Sequence, residues 1–186
     1  MRIISGDFRG RRLHAPGSDR IRPTIDRVRE AVFSMIAEYV PDARVLDLFA
    51  GTGAVGLEAL SRGARFCSFV DNGAEALRLI RENVALCGAQ ESARVINATV
   101  ASALRRLEAE KELFDLVFLD PPYGKGYVEQ TLDMIGPVAG ESALVIAESH
   151  VKDLRQPISD LSWQKERERR YGDTLISIYS RPEISG

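Results

Sequence analysis

Between Arg44 and Ala147 the chain alternates short apolar runs with stretches of helical spacing. That rhythm restricts the fold more than any other feature. The runs cover residues 45–49, 66–70, 93–96, 114–119 and 143–147. Between them, apolar residues three and four apart predict helices: one ending at Leu60, then 74–86 closed by Gly88, 100–107 and 128–135. Strands alternating with helices of this length imply βαβ units, right-handed crossovers and a parallel sheet. The tail breaks the rhythm. Residues 163–170 alternate as a strand, Tyr171-Gly172-Asp173 forms a turn, and 174–179 form another strand. This predicts an antiparallel hairpin at the sheet edge. Lys165, Arg167 and Arg169 fall on one face of it and Glu166 and Glu168 on the other, a charged edge that resists further pairing.

Upstream, Arg2-Ile3-Ile4 and Arg11-Arg12-Leu13 flank Ser5-Gly6-Asp7-Phe8-Arg9-Gly10, which predicts a short basic hairpin. Pro16, Gly17 and Pro23 punctuate a linker. Val28, Val32, Met35, Ile36 and Val40 then recur at helical spacing over 26–39, with Thr24 or Asp26 as cap and Pro41 as stop. The net charge of -2 argues against a nucleic-acid binder, but the average hides an asymmetry. Residues 1–29 hold eight arginines against three acids, while the other 157 residues hold 17 basic and 24 acidic groups. A basic arm on an acidic body is the expectation. At ~100–200 residues per domain, the length predicts an arm over 1–22 and one domain over 23–186.

Other classes drop out. No signal-type stretch opens the chain, and no apolar run approaches the ~18 residues of a membrane span. A cytoplasmic protein, away from membranes, is expected. Cys67 and Cys87 sit among apolar neighbours and predict buried, reduced thiols. His14 and His150 lie far apart and offer no metal-ligand spacing, so no metal is expected.

The segment Asp47-Leu48-Phe49-Ala50-Gly51-Thr52-Gly53-Ala54-Val55-Gly56 places G-x-G-x-x-G between a strand and a helix. Asp71 follows twenty residues beyond Gly51, at the end of the second strand. This is the dinucleotide fingerprint: a tight turn, close approach of a ligand to backbone, and an acid for ribose hydroxyls. Alone it does not separate a nicotinamide cofactor from other adenosine-bearing ligands. Asp47 bears on the choice. A carboxylate at the end of the first strand repels a pyrophosphate and attracts an ammonium or sulfonium group. S-adenosylmethionine carries both cations and no phosphate. Asp71 would then pair with its ribose. Asn72, Asn97 and Ala98 stand at strand ends where an adenine edge can be read, and the asparagines are equally turn residues.

Asp120-Pro121-Pro122-Tyr123 ends the fourth strand, beside the first, where a doubly wound sheet reverses direction. The two prolines stiffen this corner and remove N–H donors, so carbonyl and carboxylate acceptors dominate. Acceptors beside an aromatic ring suit a planar exocyclic amine on an unstacked base. Such a nitrogen is a poor nucleophile because its lone pair is delocalised. Acceptors that hold its N–H bonds turn the lone pair toward a methyl donor, so alignment and electrostatics carry the catalysis.

The stretches RIISGDFRGRRL, RPTIDRVREAVF, DLFAGTGAVGLEALSRGA and DPPY resemble the bacterial 16S ribosomal RNA guanine-N2 methyltransferase family, over Arg2 to about Ser180. The resemblance implies a class I methyltransferase fold: a Rossmann-like, mostly parallel seven-stranded sheet with a C-terminal antiparallel hairpin and an N-terminal basic hairpin. It implies transfer of a methyl group from S-adenosylmethionine, leaving S-adenosylhomocysteine, to guanine N2 in 16S ribosomal RNA of the small subunit, by a monomer. Asp47, Phe49, Gly51 and Gly53 would line the methionine side of the cofactor, with Thr24 near its carboxylate. Asp71 would take the ribose, and Asn72, Asn97 and Ala98 the adenine. Asp120, Pro121, Pro122 and Tyr123 would take the guanine, and Arg2, Arg9, Arg11 and Arg12 the RNA phosphates. Alternatives are DNA adenine-N6 or cytosine-N4 enzymes, which share DPPY, and release-factor glutamine enzymes, which resemble Asn-Pro-Pro-Tyr. A nicotinamide oxidoreductase and a non-catalytic RNA-binding module use the same fold.

Overall fold

The computed structural model describes residues 1–16, 23–153 and 162–182. Strands β1 (Arg44–Leu48), β2 (Phe66–Asp71), β3 (Ala93–Asn97), β4 (Phe114–Leu119), β5 (Ala139–His150), β6 (Gln164–Tyr171) and β7 (Thr174–Ser180) form one sheet in the order β3-β2-β1-β4-β5-β7-β6. Six strands run the same way. Only β7 opposes them, paired antiparallel to both β5 and β6. Helices α1 (Pro23–Met35), α2 (Ala54–Ser61) and α3 (Ala74–Cys87) cover one face, and α4 (Val100–Ala109) and α5 (Tyr127–Ile135) the other.

Strand alternation explains the two cores. Leu116 and Phe118 of β4 pack with Phe33, Ile36, Leu57 and Ile80 on the first face. Val117 and Leu119, pointing the other way, pack with Leu104, Leu107, Leu132 and Ile135. Cys67 and Cys87 are buried free thiols.

Several boundaries differ from those the sequence pattern predicts. Helix α1 starts at Pro23, which fits the first helical turn, and stops at Met35. A separate 3-10 turn over Ala37–Tyr39 then tightens the chain ahead of Pro41. Strand β1 ends at Leu48, because Phe49 takes a left-handed φ of 61°. Strand β5 runs well beyond its apolar run at both ends. Gly140, Glu141 and Ser142 precede the run at a β4–β5 irregularity, and Glu148, Ser149 and His150 extend it by pairing with β7 alone. In β6 a bulge between Lys165 and Arg167 breaks the expected separation of charges. Lys165 consequently reaches Glu168, at 2.6 Å.

The N-terminal hairpin closes on one bridge, Arg2 to Arg12, with Ile3 N–H donating to Arg11 at 3.0 Å and Gly10 N–H to Ile3 at 2.9 Å. It is fastened to the body. Ile3 and Leu13 are buried in the core of α1–α3. Ile4 and Ser5 N–H groups donate to the buried Glu58 carboxylate at 2.8 and 3.0 Å, and Phe8 N–H to Ser61 Oγ at 2.9 Å. Buried Asn83 accepts from His14 N–H at 2.7 Å and donates to the carbonyls of His14 and Thr52 at 3.0 and 2.9 Å.

Arg29 belongs to this scaffold rather than to a basic surface. It is buried, pairs with Asp26 at 3.0 Å and Glu58 at 3.6 Å, and donates to the Arg2 carbonyl at 2.5 Å. Gly17, Arg20, Arg22 and the side chain of Thr24 lie outside the described residues.

Candidate active site

Strand β1 lies between β2 and β4, so successive crossovers leave it in opposite directions. The resulting crevice at the C-terminal edge is where open α/β sheets bind ligands. The glycine turn occupies it. Gly51 and Gly53 take φ of 56° and 75°, and Gly53 N–H donates to the Ala50 carbonyl at 2.7 Å. Gly56 serves packing: a Cβ there would lie 2.4 Å from the Phe69 ring and 2.5 Å from Cys67 Sγ.

Two acids secure the turn. Asp71 accepts Gly51 N–H on Oδ2 at 2.9 Å and Gly73 N–H on Oδ1 at 2.8 Å. Asp47 is buried beneath the turn and accepts Gly56 N–H on Oδ2 at 3.0 Å. Burial pushes the Asp47 carboxyl up to about 7, against the pull of that hydrogen bond.

A cleft of about 310 Å³ opens beside the turn, within reach of the usual range for small ligands. Phe49, Asp71, Asn72 and Ala98 line it, together with Val100, Pro122 and Tyr127. Gly51, Gly53 and Asp47 shape the turn without lining the cleft, and Asn97 is exposed at the end of β3, outside it. Nothing in the sequence pattern marks Tyr127. It opens α5 directly after Gly124-Lys125-Gly126, and its ring faces that of Phe49 with centroids 5.7 Å apart. An aromatic at the first position of a helix is an ambiguous signal without the fold.

Across the crevice, the register of β4 against β5 pairs Leu119 with Ala147, which sets Asp120 beside Glu148. Pro121 is buried, and Pro122 and Tyr123 are exposed. Tyr123 donates its hydroxyl to Glu148 Oε1 at 2.8 Å, and its ring lies 5.6 Å from that of His150. No described residue donates a hydrogen bond to the Asp120 carboxylate. Asp120 is an exposed residue, and its carboxyl stands near the acids Glu148 and Asp47. Loss of hydration, then the negative Glu148 and Asp47, raise it above the carboxylate range. Burial also raises Glu148, and partial burial and Glu148 together push Tyr123 up to about 12. The sequence pattern does not mark Glu148, which falls one residue past the apolar run.

The basic surface is the hairpin. Arg2, Arg9, Arg11 and Arg12 are all exposed. Arg11 is already engaged, donating to the Leu86 carbonyl and lying 5.4 Å over the Phe8 ring. Among the described residues, none pairs with the guanidinium groups of Arg2, Arg9 and Arg12. A larger groove of about 680 Å³ lies near the N-terminal end of β6, between Met35, Tyr39, Gln164 and Arg181. It brings no comparable set of acceptors and aromatics together, so size does not make it the site. Among the described residues there is no group of three or more His, Cys, Asp or Glu side chains that could hold a metal, and no helix long and apolar enough to cross a membrane.

A seven-stranded sheet in this order, with a glycine turn after β1 and an Asp-Pro-Pro-Tyr corner after β4, defines a Rossmann-like methyltransferase fold. More narrowly, the chain belongs to the family described as conserved hypothetical protein 95, whose model matches residues 1–180. It is 38% identical over 184 residues to a protein of Escherichia coli (strain K12) named ribosomal RNA small subunit methyltransferase D, covering 97% of this chain and 90% of the relative. The Haemophilus influenzae protein of the same name is 33% identical over 182 residues, covering 96% and 93%. The solved structure of the Escherichia coli protein yhhF is 37% identical and covers 97% of each chain, with a TM-score of 0.82.

Proposed function

We propose that this protein methylates the N2 amine of a guanine in 16S ribosomal RNA, with S-adenosylmethionine as donor and the small ribosomal subunit as the working substrate. The names of its relatives support ribosomal RNA as the target. The observation that carries the reading is the rigid Asp120 corner, its carboxylate free of described donors, facing the crevice beside the cleft.

The residues fit the cofactor. Asp47 is a buried acid whose hydrogen bond leaves it short of a counter-charge, a fitting neighbour for a cation. Phe49 and Tyr127 give the cleft aromatic walls for an adenine, with Asp71, Asn72 and Ala98 on its rim. When bound, S-adenosylmethionine supplies an electrophilic methyl group on a positively charged sulfur. Asp120 and the Pro121 carbonyl hold the amine N–H bonds, and Tyr123 stacks on the base. Transfer of that methyl group to the amine would release one proton, which Asp120 is placed to accept. Arg2, Arg9 and Arg12 hold phosphates and set the register of the RNA. In this division of labour, residues 1–22 serve the RNA and 23–186 the transfer.

The test offers labelled S-adenosylmethionine with small subunits, naked 16S ribosomal RNA or duplex DNA, and maps the modified base. Label on guanine N2 of ribosomal RNA is expected. Label confined to DNA, or on an adenine or cytosine amine, overturns the reading.

A further inference from the structure

We infer that Glu148 reads the N1–H of the target base and thereby restricts the corner to guanine. The inference rests on the function proposed above and adds to it the source of base choice. An Asp-Pro-Pro-Tyr corner alone receives an exocyclic amine and does not say whose. The atoms next to the amine differ among the bases. Adenine N6 is flanked by N1, and cytosine N4 by N3, each presenting a lone pair. Guanine N2 is flanked by N1–H, a donor. A second acceptor beside the first therefore favours guanine and repels the other two.

Glu148 is placed to be that acceptor. Asp120 and Glu148 stand next to each other at the ends of neighbouring strands, which lie about 4.8 Å apart. Two adjacent donors on one base edge can meet two acceptors so arranged. The Glu148 carboxylate is held in place, because Tyr123 of the same corner donates to Oε1 at 2.8 Å. Its second oxygen, Oε2, takes no hydrogen bond from any described residue. Glu148 also shares a small hollow with Pro121, Pro122 and Tyr123. The residue is thus tied to the base platform by one oxygen, with the other left for a ligand. A base presenting a lone pair would leave that oxygen desolvated and unpaired beside another acceptor. Sites built around such a hydrogen bond reject the analogue that lacks it by large factors.

The competing role is that Glu148 only orients Tyr123. Glu148→Gln separates the two. The amide oxygen still accepts the Tyr123 hydroxyl, while the amide NH2 turns the second position from acceptor to donor. Small subunits are reconstituted with guanine or 2-aminopurine at the position that product mapping identifies. The second base keeps the C2 amine but presents a lone pair at N1. The wild-type protein is expected to prefer guanine by about 100-fold or more in kcat/KM. Glu148→Gln is expected to lose activity on guanine and hold or gain it on 2-aminopurine, so that the preference falls below about 10-fold.

Equal losses on both bases, or an unchanged preference, reduce Glu148 to a support for Tyr123 and overturn the inference. The wild-type protein is a test in its own right: equal rates on the two bases mean that N1–H is not read, whatever the variant does. Methylation of guanine N2 by a protein indifferent to Glu148→Gln overturns this inference alone. Absence of guanine-N2 product from the wild-type protein overturns the proposed function instead.

Discussion

On the β1–β2 side of the C-terminal edge, backbone N–H groups hold the acids. Asp71 has both oxygens occupied, by Gly51 and Gly73, and Asp47 accepts Gly56. On the β4–β5 side, Asp120 has no described donor, and Glu148 has only the hydroxyl of an exposed tyrosine. The two sides use the same residue type for opposite purposes. The first is built in advance, with its carboxylates shaping a turn. The second leaves its acceptors without a described protein donor apart from Tyr123, open to a donor carried by a ligand. Under the proposed function, that contrast would separate a region for the cofactor from one that selects a base.

The sharpest way to break the contrast is Asp120→Ala. Turnover should fall by about 100-fold or more, the scale of losing one preorganised contact, while cofactor affinity stays nearly unchanged. Single-turnover kinetics and calorimetry measure the two halves, and parallel losses would erase the distinction between them.

Gly56→Ala tests the built side by packing alone. A methyl driven into Phe69 and Cys67 should cost about 1–3 kcal/mol in denaturant unfolding.

Asp47→Asn should lower cofactor affinity by about 10-fold, the scale of one weakened charge contact. It should also raise the stability of the cofactor-free protein. The folded carboxyl is held up to about 7, above the unfolded value near 3.9, so the folded state keeps a proton that the unfolded state releases. Stability contributed by Asp47 is therefore full below about pH 4 and lost as pH rises toward 7. The variant should flatten that slope in thermal melts from pH 4 to 8.

The smallest effect is expected at the hairpin. Neutralising Arg9 or Arg12 should reduce the salt dependence of RNA binding by roughly 0.7 in slope per phosphate contact. Neutralising Arg11 should instead lower stability, because it is tied to Leu86 and Phe8.

The turn after β1 was legible in the sequence because its signals are local. A glycine turn follows an apolar strand, and Asp71 lies one βαβ unit beyond. The Asp-Pro-Pro-Tyr corner was legible for the same reason. What escaped depends on pairing between distant segments. Glu148 lies where β5 outlasts its apolar run because β7 supports it, and that extension is invisible until β7 is in place. Tyr127 faces Phe49 across 78 positions of sequence. In β6, Lys165 joins the side of Glu168 because one bulge shifts alternation by a residue, while Arg167 and Arg169 still share the other face. The Arg29 count misled because charge says nothing of burial: one arginine of the basic segment is an internal strut.

The attachment of the hairpin to Glu58 has a consequence for how the chain acquires its shape. A two-stranded ribbon with one bridge is marginal by itself. Its anchors lie 53 and 54 residues away at Glu58, and 69 residues away at Asn83. Closing loops of that length comes only after the partners exist, so α2 and α3 must form before the ribbon can dock. The ribbon is made before its anchors and waits for them to take shape. The basic surface is completed by α2 and α3, and a chain cut short of Asn83 does not yet present it.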